Sequence, residues 1–279
     1  MRKMEISVVI YMLFLSLLNL GESDGKESKS SVYAPVNVIV ILDTSDRVSQ
    51  PGQVENDIEI ATEIVTQFDE LVQAHLREID ANGNEMIQYP HRLTFVVPDQ
   101  LKTPAIPPKI MRKLELRDPG KENGYPEFEK QRDALLGEIP KVYDFVAEHK
   151  QTGSDIWDWF QSEAKDYFYG GYQNRIICLS DGYLIFDDDI QSERPEGTCM
   201  HLIDGKRIDM SKDLLPVDKG FRNYNVKFLM VEIDMKEGGN FENMRKYWKT
   251  WLDAIGIKET DFAKQGRWIR KIESFLSTE

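Results

Sequence analysis

The chain has 279 residues, 41% of them hydrophobic and 30% charged, an ordinary globular composition with enough apolar mass for one large core. Its formal net charge of −13 gives an acidic surface that repels nucleic acid and anionic lipid. Neither is an expected partner, whereas divalent cations and basic protein surfaces are tolerated.

Arg2 and Lys3 precede an apolar core from Ile6 to Leu20, shorter than the ~20 residues needed to span a bilayer. With small residues at Gly21 and Ser23, residues 1–23 read as an export signal; an uncleaved anchor is the alternative. No cysteine stands near the leader to carry a lipid. Residues 24–34 are polar and small, a flexible tether, and 35–279 read as one domain with insertions near 98–125 and 187–222. The mature chain is expected in the periplasm or secreted, without membrane insertion.

Val36 to Leu42 is a continuous apolar run, as in a strand buried on both faces of a parallel sheet. Asp43, Ser45, Asp46 and Arg47 follow at its carboxyl end, where open α/β sheets bind ligands. A helix is predicted from Val54 to Ile79, its apolar residues spaced by three and four, and a strand from Arg92 to Val97. Lys113 to Leu116 alternates like an edge strand. Phe128 to His149 reads as a helix interrupted at Pro140, and Asp155 to Tyr169 as a helix opened by Gly153-Ser154 and closed by Gly170-Gly171.

Ile176 to Gly182 is a second buried strand ending in an aspartate, Asp181. Asp187 to Asp189 reads as a solvated turn, lacking the spacing of a calcium loop, and Asp204-Gly205 as a hairpin. Val226 to Ile233 is a further strand. Phe241, Met244, Trp248, Trp251 and Ile255 mark a helix stopped by Gly256, and Asp261 to Phe275 a last one. Strands alternating with helices predict an α/β, Rossmann-like, mainly parallel sheet flanked by helices. Cys178, inside a buried strand, reads as an unpaired small hydrophobe, although Cys199 makes a disulfide formally available. The four histidines look scattered and form no ligand pattern; the tryptophans read as core, with Trp157 able to face a site.

Asp43-x-Ser45, the Gly153-Ser154 helix start and Asp181-Gly182, in this order, resemble the von Willebrand factor type A family. That family carries a metal-ion-dependent adhesion site built from an Asp-x-Ser-x-Ser motif, a Thr or Ser heading a middle helix, and a strand-end Asp. The resemblance implies a Mg²⁺ held by Asp43, Ser45, Ser154 (Thr152 as the weaker match) and Asp181, with Asp46, Arg47 and Asp155 at its rim. In that family the hydroxyls bind directly and the aspartates mostly through water, and a partner's acidic side chain completes the shell. It implies a protein-binding module rather than an enzyme.

Arg47 stands where the family has its second serine. Three dispositions are open: it points away; it replaces the ion by pairing with Asp43 or Asp181, giving a metal-free scaffold; or it pairs with Asp46 or a helix carboxylate. Each motif also has a plainer reading, since Asp and Ser after a strand can simply cap the next helix. A metal-dependent hydrolase using Asp43 and Asp181 is the enzymatic alternative. No nucleophile elbow, phosphate loop or dinucleotide fingerprint accompanies it.

Overall fold

The computed structural model describes residues 34–82, 90–98, 105–149, 156–183, 219–235 and 239–277. The leader, most of the tether, Thr152 to Asp155, Cys199 and the Asp204-Gly205 hairpin lie outside them.

Seven buried residues form β1, Val36–Leu42. It pairs in parallel with β2 (Arg92–Val96) on one side and β4 (Gln173–Leu179) on the other. Beyond β4 come β5 (Asn225–Ile233) and β6 (Glu259–Lys264), both parallel, and beyond β2 the short antiparallel edge strand β3 (Glu115–Arg117). The order is β3-β2-β1-β4-β5-β6, the mainly parallel α/β sheet the sequence predicts.

The pleat divides β1 between two cores. Val38, Val40 and Leu42 face α1 (Gln53–Asn82), α3 (Tyr125–His149) and α6 (Ile269–Leu276), with the single-turn α2 (Pro108–Met111) beside them. Ile39 and Ile41 face α4 (Ile156–Ser162) and α5 (Phe241–Ile255), where Trp159, Trp248 and Trp251 are fully buried. Covering both faces is what lets the central strands be largely apolar on both sides. No helix among the described residues is long and apolar enough to cross a membrane.

Three elements differ from expectation. Pro140 does not interrupt α3. The proline costs one helical hydrogen bond, but buried Leu135, Ile139, Val142, Tyr143 and Val146 on both sides of it hold the helix together. The middle helix is shorter: α4 ends at Ser162 and a 3₁₀ turn follows at Ala164–Tyr167. Residues predicted as the start of the last helix instead form β6, because pairing with β5 satisfies that strand's open edge. Gly266, at φ 70°, then turns the chain into α6.

Helix α5 shows its signals fully. Asn240 accepts from the backbone N–H groups of Glu242 and Asn243, and Gly256 closes the helix at φ 105°. A Cβ on Gly256 would lie 2.9 Å from the backbone nitrogen of Arg222. Gly256→Ala combines a left-handed φ with that clash, so it should cost on the order of 2 kcal/mol or more. Urea unfolding of both proteins measures it, and an unchanged midpoint would mean that the 219–223 turn yields freely.

Candidate functional site

Asp43 follows β1 and Ser180-Asp181 follows β4, so parallel pairing of Leu42 with Leu179 brings the two strand ends side by side. Asp43 Oδ1 accepts the Ser45 N–H at 3.0 Å, and Oδ2 accepts the Ser180 hydroxyl at 2.6 Å. Ser45 occupies the cap position of the 3₁₀ turn Asp46–Ser49, yet its side chain makes no capping hydrogen bond. Capping does not account for that hydroxyl. Gly182, at φ 91°, carries the chain away from Asp181, whose Oδ1 accepts the Tyr183 N–H at 3.0 Å. Trp248 Nε1 donates to the Gly182 carbonyl at 2.8 Å, tying this turn to α5. Asp43, Ser45 and Asp181 are all buried. Ser154 and Asp155 lie outside the described residues.

Arg47 lies beneath the strand ends rather than at their rim, with only 3% of it exposed. Its Nη2 donates to Asp57 Oδ2 at 2.7 Å and to the Leu179 carbonyl at 3.3 Å, and its Nε to the Asp43 carbonyl at 3.1 Å. Arg47 pairs with the carboxylate of Asp57 on α1, buried rather than at the rim, and also lies within ion-pair distance of Asp43 Oδ2, at 3.9 Å. Gln53 Nε2 and the Tyr143 hydroxyl also donate to Asp57, at 2.8 and 3.1 Å. Burial works against the Arg47 charge, but Asp57 and Asp43 outweigh it and hold its pKa above the ordinary arginine range. Burial pushes the Asp57 carboxyl up, opposed by Arg47 and its other hydrogen-bond donors. Nearby, buried Glu232 adopts φ 69° and accepts from Asn56 Nδ2 and from the Gly266 N–H.

Asp57 was not singled out in the sequence. The signal was there: it stands three and four residues before Ile60 and Ala61, on the buried stripe of α1. Cys178 is free and fully buried, as expected of a strand thiol.

The histidines correct the sequence reading. His75 of α1, His91 just before β2 and Asp118 just after β3 converge, each placing a donor atom within 4.8 Å of the others. All three are buried, and the group can hold a metal ion. The antiparallel register of β2 and β3 sets His91 opposite Asp118, whose N–H donates to the His91 carbonyl at 2.9 Å. His75 Nδ1 contacts Asp118 Oδ2, and Gly120 N–H donates to Asp118 Oδ1 at 2.8 Å. His91 Nδ1 accepts the N–H of Val36 at 2.9 Å, which requires that nitrogen unprotonated. Burial lowers the His91 pKa to about 4, with Arg175 adding to the effect and Asp118 opposing it.

No protein-family model matches the chain, and no curated protein does. Among solved structures it is similar to the pilus adhesin SpaC of Lactobacillus rhamnosus GG in its open conformation, at 12% identity and a TM-score of 0.39. A second form of the same adhesin gives 14% identity and a TM-score of 0.42. The alignments cover 88% of this chain but only 29% and 30% of the adhesin, so the chain spans under a third of that protein's length.

Two predictions follow from these clusters. Arg47→Ala leaves Asp57 buried without its cation and should cost about 3–5 kcal/mol, whereas Arg47→Met with Asp57→Leu should recover most of that. Denaturant titration decides, and a single mutant as stable as wild type would mean that the pair is solvated. For His91, the unfolded chain binds the extra proton more readily between pH 6.5 and about 4, so stability is full above that window and falls with pH through it. Roughly 2 kcal/mol should disappear between pH 7 and pH 5, measured with chelator present, and His91→Gln should flatten that slope.

Proposed function

We propose that the mature chain is an exported protein-binding module of von Willebrand type A character. It docks its partner at the carboxyl end of the sheet, through a Mg²⁺ held by Asp43, Ser45, Ser154 and Asp181. The resemblance assigns Asp46 and Asp155 to the rim, while Arg47 is buried behind the strand ends. The partner presents an acidic side chain as the remaining ligand.

The observation that carries this reading is the disposal of Arg47. At about 5 Å and an effective dielectric of about 20, a lone guanidinium would repel a dication by roughly 6–7 kcal/mol. Its closest carboxylate is Asp57 at 2.7 Å, with Asp43 Oδ2 farther off at 3.9 Å, so most of its charge is directed at α1 rather than at the strand-end acids. The Ser45 hydroxyl makes no capping bond, which suits a direct ligand. Both Asp43 oxygens already accept hydrogen bonds, which suits contact through metal-bound water, since each carboxylate oxygen has a second lone pair. Docking rather than turnover is the function this reading assigns, with the Ser180 hydroxyl engaged by Asp43 as part of the strand-end framework.

Millimolar Mg²⁺ should raise the melting temperature of the wild type by roughly 5 °C or more over an EDTA control if it reaches a hundredfold of its dissociation constant. Asp181→Ala should abolish that rise, and no divalent metal should produce ester or phosphoester hydrolysis. A wild type indifferent to Mg²⁺ would sink the cation site. Hydrolysis that is lost in a folded Asp43→Ala variant would replace docking with catalysis.

A further inference from the structure

We propose that His75, His91 and Asp118 form a second metal site, of the zinc class, at the amino end of β1 and β2. Two imidazoles and one carboxylate are the donor set that borderline first-row ions prefer, whereas Mg²⁺ takes oxygen ligands and keeps several waters. Three protein ligands leave a fourth tetrahedral position for water.

The surroundings support the ligands. Asp118 is oriented from both sides, by the Gly120 N–H on Oδ1 and through its own N–H to the His91 carbonyl, with Oδ2 turned toward His75. Such partners are what fix first ligands in place. His91 Nδ1 accepts the Val36 N–H, so that nitrogen carries a lone pair rather than a proton, as a metal ligand must. Donors bound at about 2.0–2.1 Å to a tetrahedral ion lie about 3.3 Å apart, and these donors already lie within 4.8 Å of one another.

One contact must be given up. The Val36 N–H donates to His91 Nδ1, and neither imidazole nitrogen can bind a metal while that bond persists in the neutral ring. Losing it weakens binding roughly ten- to hundredfold relative to a site without that competitor. It also ties occupancy to Val36, the first residue of β1.

The test uses the mature chain stripped with chelator and titrated with Zn²⁺ alone against a chromophoric indicator. One equivalent should bind at micromolar concentration or tighter, undiminished by millimolar Mg²⁺, and His75→Gln and His91→Gln should each weaken it a hundredfold or more. Melts without metal establish that these variants fold. In the wild type itself, Co²⁺ should give the intense visible bands of a tetrahedral site, and Zn²⁺ should lower the hydrogen-exchange protection of the Val36 amide. Absence of stoichiometric Zn²⁺ binding, or binding that survives in both folded variants, would overturn the site. Because this proposal does not rest on the strand-end reading, indifference to Mg²⁺ leaves it untouched.

Discussion

The buried pair of Arg47 and Asp57 is the constraint on which the carboxyl end of the sheet depends. One guanidinium takes the carbonyl oxygens of Asp43 and Leu179, the points where β1 and β4 end, and anchors them to α1. Tyr143 brings α3 to the same carboxylate, and Gln53 closes its other oxygen. A pair of apolar side chains of similar volume would stabilise this interior equally well, since buried ion pairs lose in desolvation much of what they gain in attraction. It could not hold two strand carbonyls and two helices in one geometry. The five donors of a guanidinium can.

That arrangement also decides what the strand ends can do. Were Arg47 to reach Asp181, the outward carboxylates would be neutralised and the site would be structural. Directed toward α1, it compensates Asp57, an acid whose burial would otherwise be expensive, while staying 3.9 Å from Asp43 Oδ2. The start of α1 is tied to the strand ends twice: Asp57, steadied by Gln53 within the helix, meets the ends of β1 and β4 through Arg47, and Asn56 meets the end of β5 through Glu232. The strained φ of Glu232 belongs to the same junction, beside the irregular β5–β6 pairing.

The strands and the two-sided core were legible because period and burial act within one element. Val36–Leu42, Asn225–Ile233 and the α5 stripe ending at Gly256 come close to the expected bounds. The adjacency of the β1 and β4 ends was legible too, as it needs only parallel strands in the right order, although the residue that meets Asp43 there is Ser180. What failed depended on partners distant in sequence. β6 carries a pattern that also suits a helix, and only the open edge of β5 decides between them. Pro140 reads as a breaker unless the packing around it is known. His75, His91 and Asp118 belong to a helix and two strand ends, and they meet only through the antiparallel register of β3, which periodicity does not supply. Acids and histidines on buried helical stripes, Asp57 and His75 here, were the local signals that went unread.

The two clusters lie at opposite ends of β1, about 20 Å apart along seven residues at ~3.3 Å each. Their chemistry separates them as clearly as their distance. Hydroxyl and carboxylate oxygens meet at the carboxyl end; imidazole nitrogens and one carboxylate meet at the amino end. Each is tied to the backbone of its end of the sheet, the first through the Asp43 and Leu179 carbonyls and the second through the Val36 N–H. A change there acts where the chain enters the sheet, whereas a change at Asp43 acts where β1 leaves it. The rigid strand between them, buried along its whole length, has no second packing to switch into, and interiors at native density do not deform continuously. The two clusters are therefore proposed as separate sites on one scaffold, each matched by its donor atoms to a different class of ion.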